Sequence, residues 1–291
     1  MIDGLRQALL DGRHAEAWRI YDQLREAGEP GPETHLLGGR AALARGDLHS
    51  ARTALERALE AGAAGSTRGQ ALLILGDVRR RTGALREAAE TLERWLEEMP
   101  AEYPNLGAMW RGACLRNLGL TYRQMGELER ARDTYRQGAA ECRAENLPGL
   151  LGRTLRNLAW VCCLLEQPEE AAGALAEAES LCQNESERWH QRLGWAHVEL
   201  LQGWQPSTTA FSREALAESS TAPADVRAHA AILLGREALR RGDLAIARQC
   251  AEQAVDMAMT DRGDSRALND AAEFRQLVLT MMNLKSAEAG A

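Results

Sequence analysis

Residues 72–92 read LLILGDVRRRTGALREAAETL, and the spacing of two glycines in this stretch decides the fold. Gly76 lies seven residues before Gly83, and Ala88 follows Gly83 by five. A glycine inside an apolar segment permits the close approach of a second helix, and a glycine after the segment suits the left-handed turn that ends a helix. The stretch therefore predicts two helices that are joined by a tight turn and cross at a small alanine.

The same pattern recurs along the whole chain. In five copies a glycine is followed five residues later by alanine, and these are Gly12, Gly46, Gly83, Gly126 and Gly242. Two degenerate copies place their turns at 166 and 203. The seven turns are 34, 37, 43, 40, 37 and 39 residues apart, which predicts an array of helix pairs of slightly unequal length. Asp47 and Asp243 follow turn glycines and are suited as N-caps of the second helix.

With this pattern the chain resembles the tetratricopeptide repeat (TPR) family, whose unit is about 34 residues long. The third copy carries the resemblance in Leu72, Leu75, Gly76, Gly83, Ala88, Leu92 and the closing Pro100. The fourth carries it in Leu118, Gly119, Tyr122, Gly126, Ala131 and Tyr135. The long intervals resemble the regulatory TPR arrays of bacterial transcription regulators and the kinesin light chain array. The resemblance implies an all-α, right-handed superhelical solenoid of about seven helix pairs plus a C-terminal capping helix.

We expect a single solenoid domain over 1–285 and a disordered tail at 286–291. The predicted repeats lie near 1–29, 32–62, 66–99, 105–145, 149–182, 186–219 and 223–261. The capping helix is expected over 265–284, because an open array end leaves an apolar face uncovered. Its apolar stripe consists of Phe274, Leu277, Val278, Met281 and Met282.

Composition and missing motifs exclude several functions. The 35 basic and 42 acidic residues give a net charge of −7, which argues against direct binding of nucleic acid. No run reaches the roughly 18 apolar residues of a membrane helix, and the N-terminal segment lacks the pattern of a signal peptide. We therefore expect a cytoplasmic protein. The six cysteines lack the spacing of a zinc site, and no phosphate-binding loop, GxSxG or HExxH motif occurs, so we predict no metal, no cofactor and no catalytic residue.

The first helices of the fourth and fifth repeats carry the candidate ligand-binding residues. An Arg-Asn dipeptide stands at the same register in both repeats, 40 residues apart. Asparagine can pair with both polar groups of a peptide backbone, and arginine suits a carboxylate. The resemblance implies that these residues line a concave groove. The predicted groove set comprises Arg116, Asn117, Arg123, Arg153, Arg156, Asn157 and Trp160. The alternatives are that the polar residues bond neighbouring helices or solvate the groove, and that Trp160 fills the core.

A second cluster lies in the sixth repeat, where two tryptophans alternate with two histidines. Trp189, His190, Trp195 and His197 fall within nine residues. His190 and His197 are seven residues apart and share a helix face, so metal binding or pH sensing is an alternative for them. A third ligand is not evident in the sequence, and we predict no metal site.

Three functions remain open from the sequence. The leading hypothesis is a non-enzymatic bacterial regulatory or adaptor protein that binds a protein or an extended, acidic peptide in its concave groove. The second is a structural or assembly scaffold that uses its convex face or its array ends, including homodimerisation through those ends. The third is the ligand-sensing part of a transcription-regulatory system whose DNA-binding domain lies on another chain.

Overall fold

The computed structural model describes residues 2–28, 30–102, 108–203, 205–260 and 265–289. This part of the chain forms fifteen α-helices and contains no strand, so the predicted all-α fold is confirmed. None of its helices is both long and apolar enough to cross a membrane. The helices are α1 (Ile2–Leu10), α2 (His14–Glu26), α3 (Pro32–Ala44), α4 (Leu48–Glu60), α5 (Gly65–Arg81), α6 (Leu85–Glu102), α7 (Ala108–Gln124), α8 (Leu128–Ala144), α9 (Pro148–Leu164), α10 (Pro168–Glu179), α11 (Glu185–Leu201), α12 (Pro206–Leu216), α13 (Ala224–Arg240), α14 (Leu244–Thr260) and α15 (Ser265–Ala289).

The tight turns occur where the sequence pattern predicts them. All seven turn positions have φ between +55° and +108°, in the region that glycine adopts without strain. Five of the seven are the glycines of the repeat pattern, and Gly203 is a sixth. Glu166 occupies the seventh with φ +55°, which explains why the fifth repeat looks degenerate in sequence although its turn is preserved.

Small residues make the predicted close helix contacts. A Cβ on Gly119 would lie 2.6 Å from Cε1 of Tyr135, so only glycine lets α7 approach α8 this closely. The alanine five residues after each turn glycine is fully buried in all five regular copies, as at Ala88 and Ala131. The N-caps are confirmed as well, because Asp47 Oδ1 accepts a hydrogen bond from the Ser50 backbone N–H (3.0 Å) and Asp243 Oδ1 accepts one from that of Ile246 (3.1 Å).

The chain divides into two compact units, Met1–Leu147 and Pro148–Ala291. Within each unit every helix packs on the next, and the odd-numbered helices also contact one another. These odd-to-odd contacts join α1, α3, α5 and α7 in the first unit and α9, α11, α13 and α15 in the second. We call the surface that the odd helices form in each unit its odd-helix face. The single domain over 1–285 stays a prediction.

Two helix ends differ from the sequence prediction. Helix α6 continues past Pro100 to Glu102, because a proline in the last turn removes one hydrogen bond without ending the helix. Helix α15 extends to Ala289, so residues 286–289 are helical where a disordered tail was predicted. The sequence of this end, Ser-Ala-Glu-Ala, is rich in good helix formers. The predicted start of α7 near 105 and residues 290–291 lie outside the described residues.

The apolar stripe of α15 only partly covers the end of the last repeat. Phe274 and Val278 are buried against α13 and α14, and Met282 packs beside them. Leu277 and Met281 remain 49% and 38% exposed. Leu277 lies about 60° away from Phe274 around the helix axis. The stripe is therefore wider than the part of α15 that packs against α13 and α14. The exposed part of the stripe therefore stays available on the odd-helix face.

Candidate functional site

A cavity of about 310 Å³ lies on the odd-helix face of the second unit. Its walls come from all four odd helices of that unit, α9, α11, α13 and α15. The lining residues of α9 and α11 lie in the C-terminal halves of these helices, whereas those of α13 run from His229 to Arg236 across its middle. The repeat packing itself creates this cavity, because side chains of equivalent register from successive odd helices meet there.

Aromatic rings form one wall of the cavity. The Trp160 ring centroid lies 4.4 Å from that of His197 and 5.0 Å from that of His229, which it meets edge-on. The two histidine rings are 6.2 Å apart. Phe274 also lines the cavity and is itself buried. The wall therefore offers ring faces and edges on which an apolar or aromatic group can pack.

His229 is fixed in place by hydrogen bonds at both ring nitrogens. It is 2% exposed, and its Nδ1 lies 2.7 Å from the Asp225 carbonyl oxygen. Its Nε2 lies 2.9 Å from Asp270 Oδ2. Both neighbours are oxygen acceptors, and a neutral imidazole carries only one N–H, so the ring donates to both only when both nitrogens are protonated. These contacts hold the ring rigidly between α13 and α15 and present its face to the cavity.

The mouth of the cavity is apolar and partly exposed. Leu164 on α9 is 50% exposed, Leu201 on α11 39%, and Leu277 on α15 49%. These three leucines line the cavity from three different helices. Isolated exposed leucines are common on protein surfaces, but a ring of them around an aromatic cavity is the arrangement of a ligand site.

Besides Asp270, which contacts His229, the lining contains two more charged residues and a thiol. Arg236 on α13 and Glu273 on α15 are both exposed, and neither forms a hydrogen bond or ion pair within the described residues. Cys163 is half-buried, and burial raises the pKa of its thiol to about 12. The thiol therefore stays protonated at neutral pH, which removes it as a nucleophile.

The predicted residues of α7 lie in the first unit. Arg116 and Asn117 are half-buried, and Arg116 Nη1 lies 3.5 Å from Asn117 Oδ1. Arg123 is buried, with 8% of its surface exposed. The structure thus leaves Arg116 and Asn117 partly accessible and packs Arg123 into the fold. Ligand binding by the α7 residues stays a prediction.

The predicted residues of α9 lie in the second unit and differ among themselves. Arg156 is engaged within the fold, with Nη2 3.4 Å from Glu187 Oε2. Arg153 is exposed and has no ion pair in the described part of the chain. Asn157 is half-buried, and its Nδ2 is buried without a hydrogen-bond partner among the described atoms. Trp160 lines the cavity described above. Arg153 and Asn157 therefore keep polar groups without a partner among the described residues, one turn apart on α9.

The tryptophan–histidine cluster of α11 is divided between two sites. Trp189 belongs to the core, and its Nε1 donates to Thr221 Oγ1 at 3.3 Å. His190 Nε2 lies 2.8 Å from Asp225 Oδ2, whereas His197 lines the cavity. Within the described ranges no group of three or more His, Cys, Asp or Glu side chains could hold a metal ion. The cluster serves packing, an interhelical bond and the cavity wall.

Three contacts between a basic side chain and a carboxylate connect the odd helices of the second unit in series. Each joins a basic side chain of one odd helix to an acidic side chain of the next, and we call them the odd-helix ladder. The ladder consists of Arg156–Glu187, His190–Asp225 and His229–Asp270. The sequence analysis missed His229 and Asp270. His229 could have been found by register, because it stands 13 residues before its turn glycine, as His190 stands 13 before turn position 203.

The first unit also has a cavity, of about 440 Å³, and the arginine at its centre is bound within the fold. It lies among α4, α5 and α6, and Arg79 of α5 crosses it. Arg79 Nη1 donates to Thr91 Oγ1 (2.7 Å), and Nη2 forms an ion pair with Glu56 Oε1 (3.1 Å). The Arg79 side chain therefore connects the three helices, and this cavity has the character of a charged contact within the fold.

Comparison with known proteins agrees with the helix-pair architecture. Two family models, both described as tetratricopeptide repeat, match residues 36–105 and 113–184. No curated protein matches the chain. Among solved structures, the apo form of RapI is similar over 92% of this chain and 81% of its own, with 14% identity and a TM-score of 0.62.

Two structures of TPR proteins from bacteria are similar over most of their length. One is a tetratricopeptide repeat protein from Parabacteroides merdae, with 18% identity and a TM-score of 0.55, covering 85% of this chain and 98% of that one. The other is the C-terminal part of a TPR repeat-containing protein from Cytophaga hutchinsonii, with 11% identity and a TM-score of 0.55, covering 92% and 98%. At these identities the similarity concerns the fold.

Proposed function

We propose that the chain, of which residues 36–105 and 113–184 match tetratricopeptide repeat models, is a non-enzymatic module that binds an extended segment of a partner protein. The binding surface is the odd-helix face of the second unit, centred on α9. In this proposal the protein acts as a bacterial cytoplasmic regulator or adaptor, and binding is its whole activity. The sensing of a ligand for a separate DNA-binding chain is a variant of the same role.

One observation carries the proposal, namely that Arg153 and Asn157 on α9 have polar groups without a partner among the described residues. Arg153, Asn157 and Trp160 are spaced four and three residues apart, which places them on one side of the helix. A buried amide N–H without an acceptor costs free energy, and a carbonyl of a bound peptide would satisfy Asn157 Nδ2. Arg153 would then pair with an acidic side chain of the ligand, and Trp160 would pack against an apolar one.

The residues of α7 have the same proposed roles within the first unit. Asn117 would hold peptide backbone, and Arg116 would contribute positive charge beside it. Arg123 and Arg156 support these residues from within the fold, because Arg123 is buried and Arg156 is paired with Glu187. The preferred ligand is therefore an acidic segment with at least one large apolar side chain.

Selection from a peptide library tests this function. The full chain is screened, and the best peptides are titrated against wild type and the double variant Arg153→Ala/Asn157→Ala. We expect a loss of affinity of about tenfold or more, because a charge-assisted hydrogen bond and an amide hydrogen bond are removed. The matched control is Arg213→Ala, an exposed arginine on α12 of the same unit. Equal affinity of all three proteins for every selected peptide would contradict the proposal.

A second candidate function is assembly through the C-terminal helix. Leu284 and Met281 on α15 are 61% and 38% exposed, and together with Leu277 they form an apolar strip along the helix. Exposed apolar strips of this kind mark association surfaces. In this alternative the protein is a scaffold that forms homodimers through its array end. Light scattering over a range of concentrations tests it, because Met281→Glu/Leu284→Glu would abolish a dimer that wild type forms.

A further inference from the structure

We propose that the cavity of the second unit binds a free α-amino acid with a large apolar side chain. The inference goes beyond the proposed function, because the ligand is a small molecule and its charged contacts lie on α13 and α15. The residues proposed to hold peptide backbone lie on α9. The two proposals share only Trp160, and each can therefore fail without the other.

The size of the cavity favours a ligand of this kind. Sites for small molecules usually measure about 300–1,000 Å³, and this cavity of about 310 Å³ stands at the lower end. Such a volume accommodates one amino acid and is small for a cofactor or nucleotide. The walls come from four helices of one compact unit, so the cavity is formed before any ligand arrives.

The lining favours an apolar side chain in the interior. Trp160, Phe274 and the faces of two histidine rings supply an aromatic surface, and the three leucines at the mouth add aliphatic surface. His229 turns both ring nitrogens away to Asp225 and Asp270, which leaves its ring face for packing. An aromatic or branched aliphatic side chain would find contacts on every side.

The charges at the cavity favour a ligand that carries both an ammonium and a carboxylate group. Arg236 and Glu273 stand on helices that contact each other and line the same cavity, yet they form no ion pair with each other. Asp270 is held by His229, so Glu273 is the carboxylate left for a cationic group. A free amino acid supplies a carboxylate for the Arg236 guanidinium and an ammonium for Glu273. The interior of a peptide carries neither charge on its backbone.

Isothermal titration calorimetry on the full chain provides the test. The ligands are L-leucine, L-methionine, L-phenylalanine and L-tryptophan, with L-glutamate and L-lysine as polar controls. We expect one of the four apolar amino acids to bind with 1:1 stoichiometry. Its N-acetyl and carboxamide derivatives, which lack the ammonium and the carboxylate charge respectively, should each bind at least about tenfold more weakly.

Charge-neutralising variants assign each end of the ligand. Arg236→Gln should weaken binding of the free amino acid about tenfold and leave binding of the carboxamide derivative unchanged. Glu273→Gln should also weaken binding of the free amino acid about tenfold, and it should leave binding of the N-acetyl derivative unchanged. The controls are Arg240→Gln, an exposed arginine one turn further along α13, and Glu252→Gln on α14, which should bind like wild type.

Two results would overturn the inference. One is the absence of binding by all four apolar amino acids at millimolar concentration. The other is binding that neither Arg236→Gln nor Glu273→Gln weakens. Both exposed residues can be replaced without disturbing the core, and an unchanged unfolding temperature of each variant verifies this. The peptide titrations with Arg153→Ala/Asn157→Ala are scored separately, so a failure here is distinguishable from a failure of the proposed function.

Discussion

In the first unit, α5 and α7 each form a charged contact with their own partner in the helix pair, and Arg79 of α5 also reaches Glu56 of α4. Arg68 of α5 contacts Glu98 of α6 at 2.8 Å, and Arg111 of α7 contacts Glu141 of α8 at 2.7 Å. In the second unit, the odd-helix ladder joins each odd helix to the next odd helix instead. The same repeat packing therefore carries two different patterns of charge.

The difference determines where polar groups are available. In the first unit, the contacts of α5 and α7 with α6 and α8 secure the individual helix pairs. In the second unit, the ladder contacts lie between odd helices, and the last of them, His229–Asp270, forms part of the cavity wall. The ladder thus positions the aromatic wall and leaves Arg236 and Glu273 unpaired. The two units share one architecture, but cross-helix contacts link all four odd helices in the second unit, whereas Arg6–Glu33 links α1 and α3 in the first.

The largest expected effect concerns the core of the first unit. Trp95 is 1% exposed, and its Nε1 donates to the Gly69 carbonyl oxygen at 2.9 Å. Trp95→Ala should lower the free energy of unfolding by about 3–5 kcal/mol, because it leaves a cavity and removes this hydrogen bond. Chemical denaturation measures the loss, and hydrogen exchange should place it in α5 and α6. Trp95→Phe is the control and should cost clearly less. If protection from exchange were lost equally in both units, the division into separate units would be contradicted.

The next prediction compares the stability lost with a ladder contact and the stability lost with a contact inside one helix pair. His229→Leu removes the hydrogen bond between α13 and α15. It should lower the free energy of unfolding by about 1–3 kcal/mol, because a buried side chain with two hydrogen bonds is lost. Arg111→Leu removes a half-exposed pair and should cost about 1 kcal/mol or less. Denaturation and exchange of the α15 amide protons measure both. Equal costs for the two variants would mean that the ladder has no special role in the second unit.

Acid should weaken the first unit through Glu98. Burial raises the pKa of its carboxyl group, but hydrogen bonds from Arg94 and Arg68 outweigh this effect and lower the pKa below 4.5. The charged form therefore contributes stability that is present above about pH 4.5 and is lost as the pH falls through the lowered pKa. Denaturation at several pH values should show a smaller acid-dependent loss for Glu98→Gln than for wild type. Parallel curves for the two proteins would contradict the assignment.

The smallest effect is chemical and reports on the cavity wall. With a thiol pKa of about 12, Cys163 should react slowly with iodoacetamide at pH 8, and its rate should rise about tenfold for each pH unit up to pH 10. Mass spectrometry of the labelled peptide follows the reaction. A fast reaction at pH 8 that hardly changes with pH would show that the thiol is more exposed to solvent than this cavity allows.

The turns and helix crossings could be predicted because they depend on local geometry. A left-handed turn favours glycine at one position, and a close crossing requires a small residue at another, so Gly83 and Ala88 reveal both. Even the turn at Glu166 was located by its spacing from the others. The same local reasoning was wrong at Pro100, because a proline in the last turn of a helix removes one hydrogen bond without ending the helix.

The cavity could be predicted only in part, because its residues come together from distant positions. Trp160 was predicted from its register on α9, but its neighbour His229 is 69 residues further along the chain. Which carboxylate meets which histidine depends on the offset between odd helices, which is 35 residues for His190–Asp225 and 41 for His229–Asp270. Because the repeats are unequal in length, such pairs cannot be predicted from one fixed residue spacing. Arg156 is the opposite case, because it was predicted as a ligand residue and is instead paired with Glu187 within the fold.

Hydrogen–deuterium exchange of the full chain with its best library-selected peptide tests most directly whether the odd-helix face of the second unit is the binding surface. The protected amides should lie in α9, foremost around Asn157 and Trp160, and extend to the facing turns of α11. Arg153→Ala/Asn157→Ala should remove this protection, whereas Arg213→Ala should leave it intact. Protection confined to the even helices α10, α12 and α14, with none in α9, would contradict the central claim.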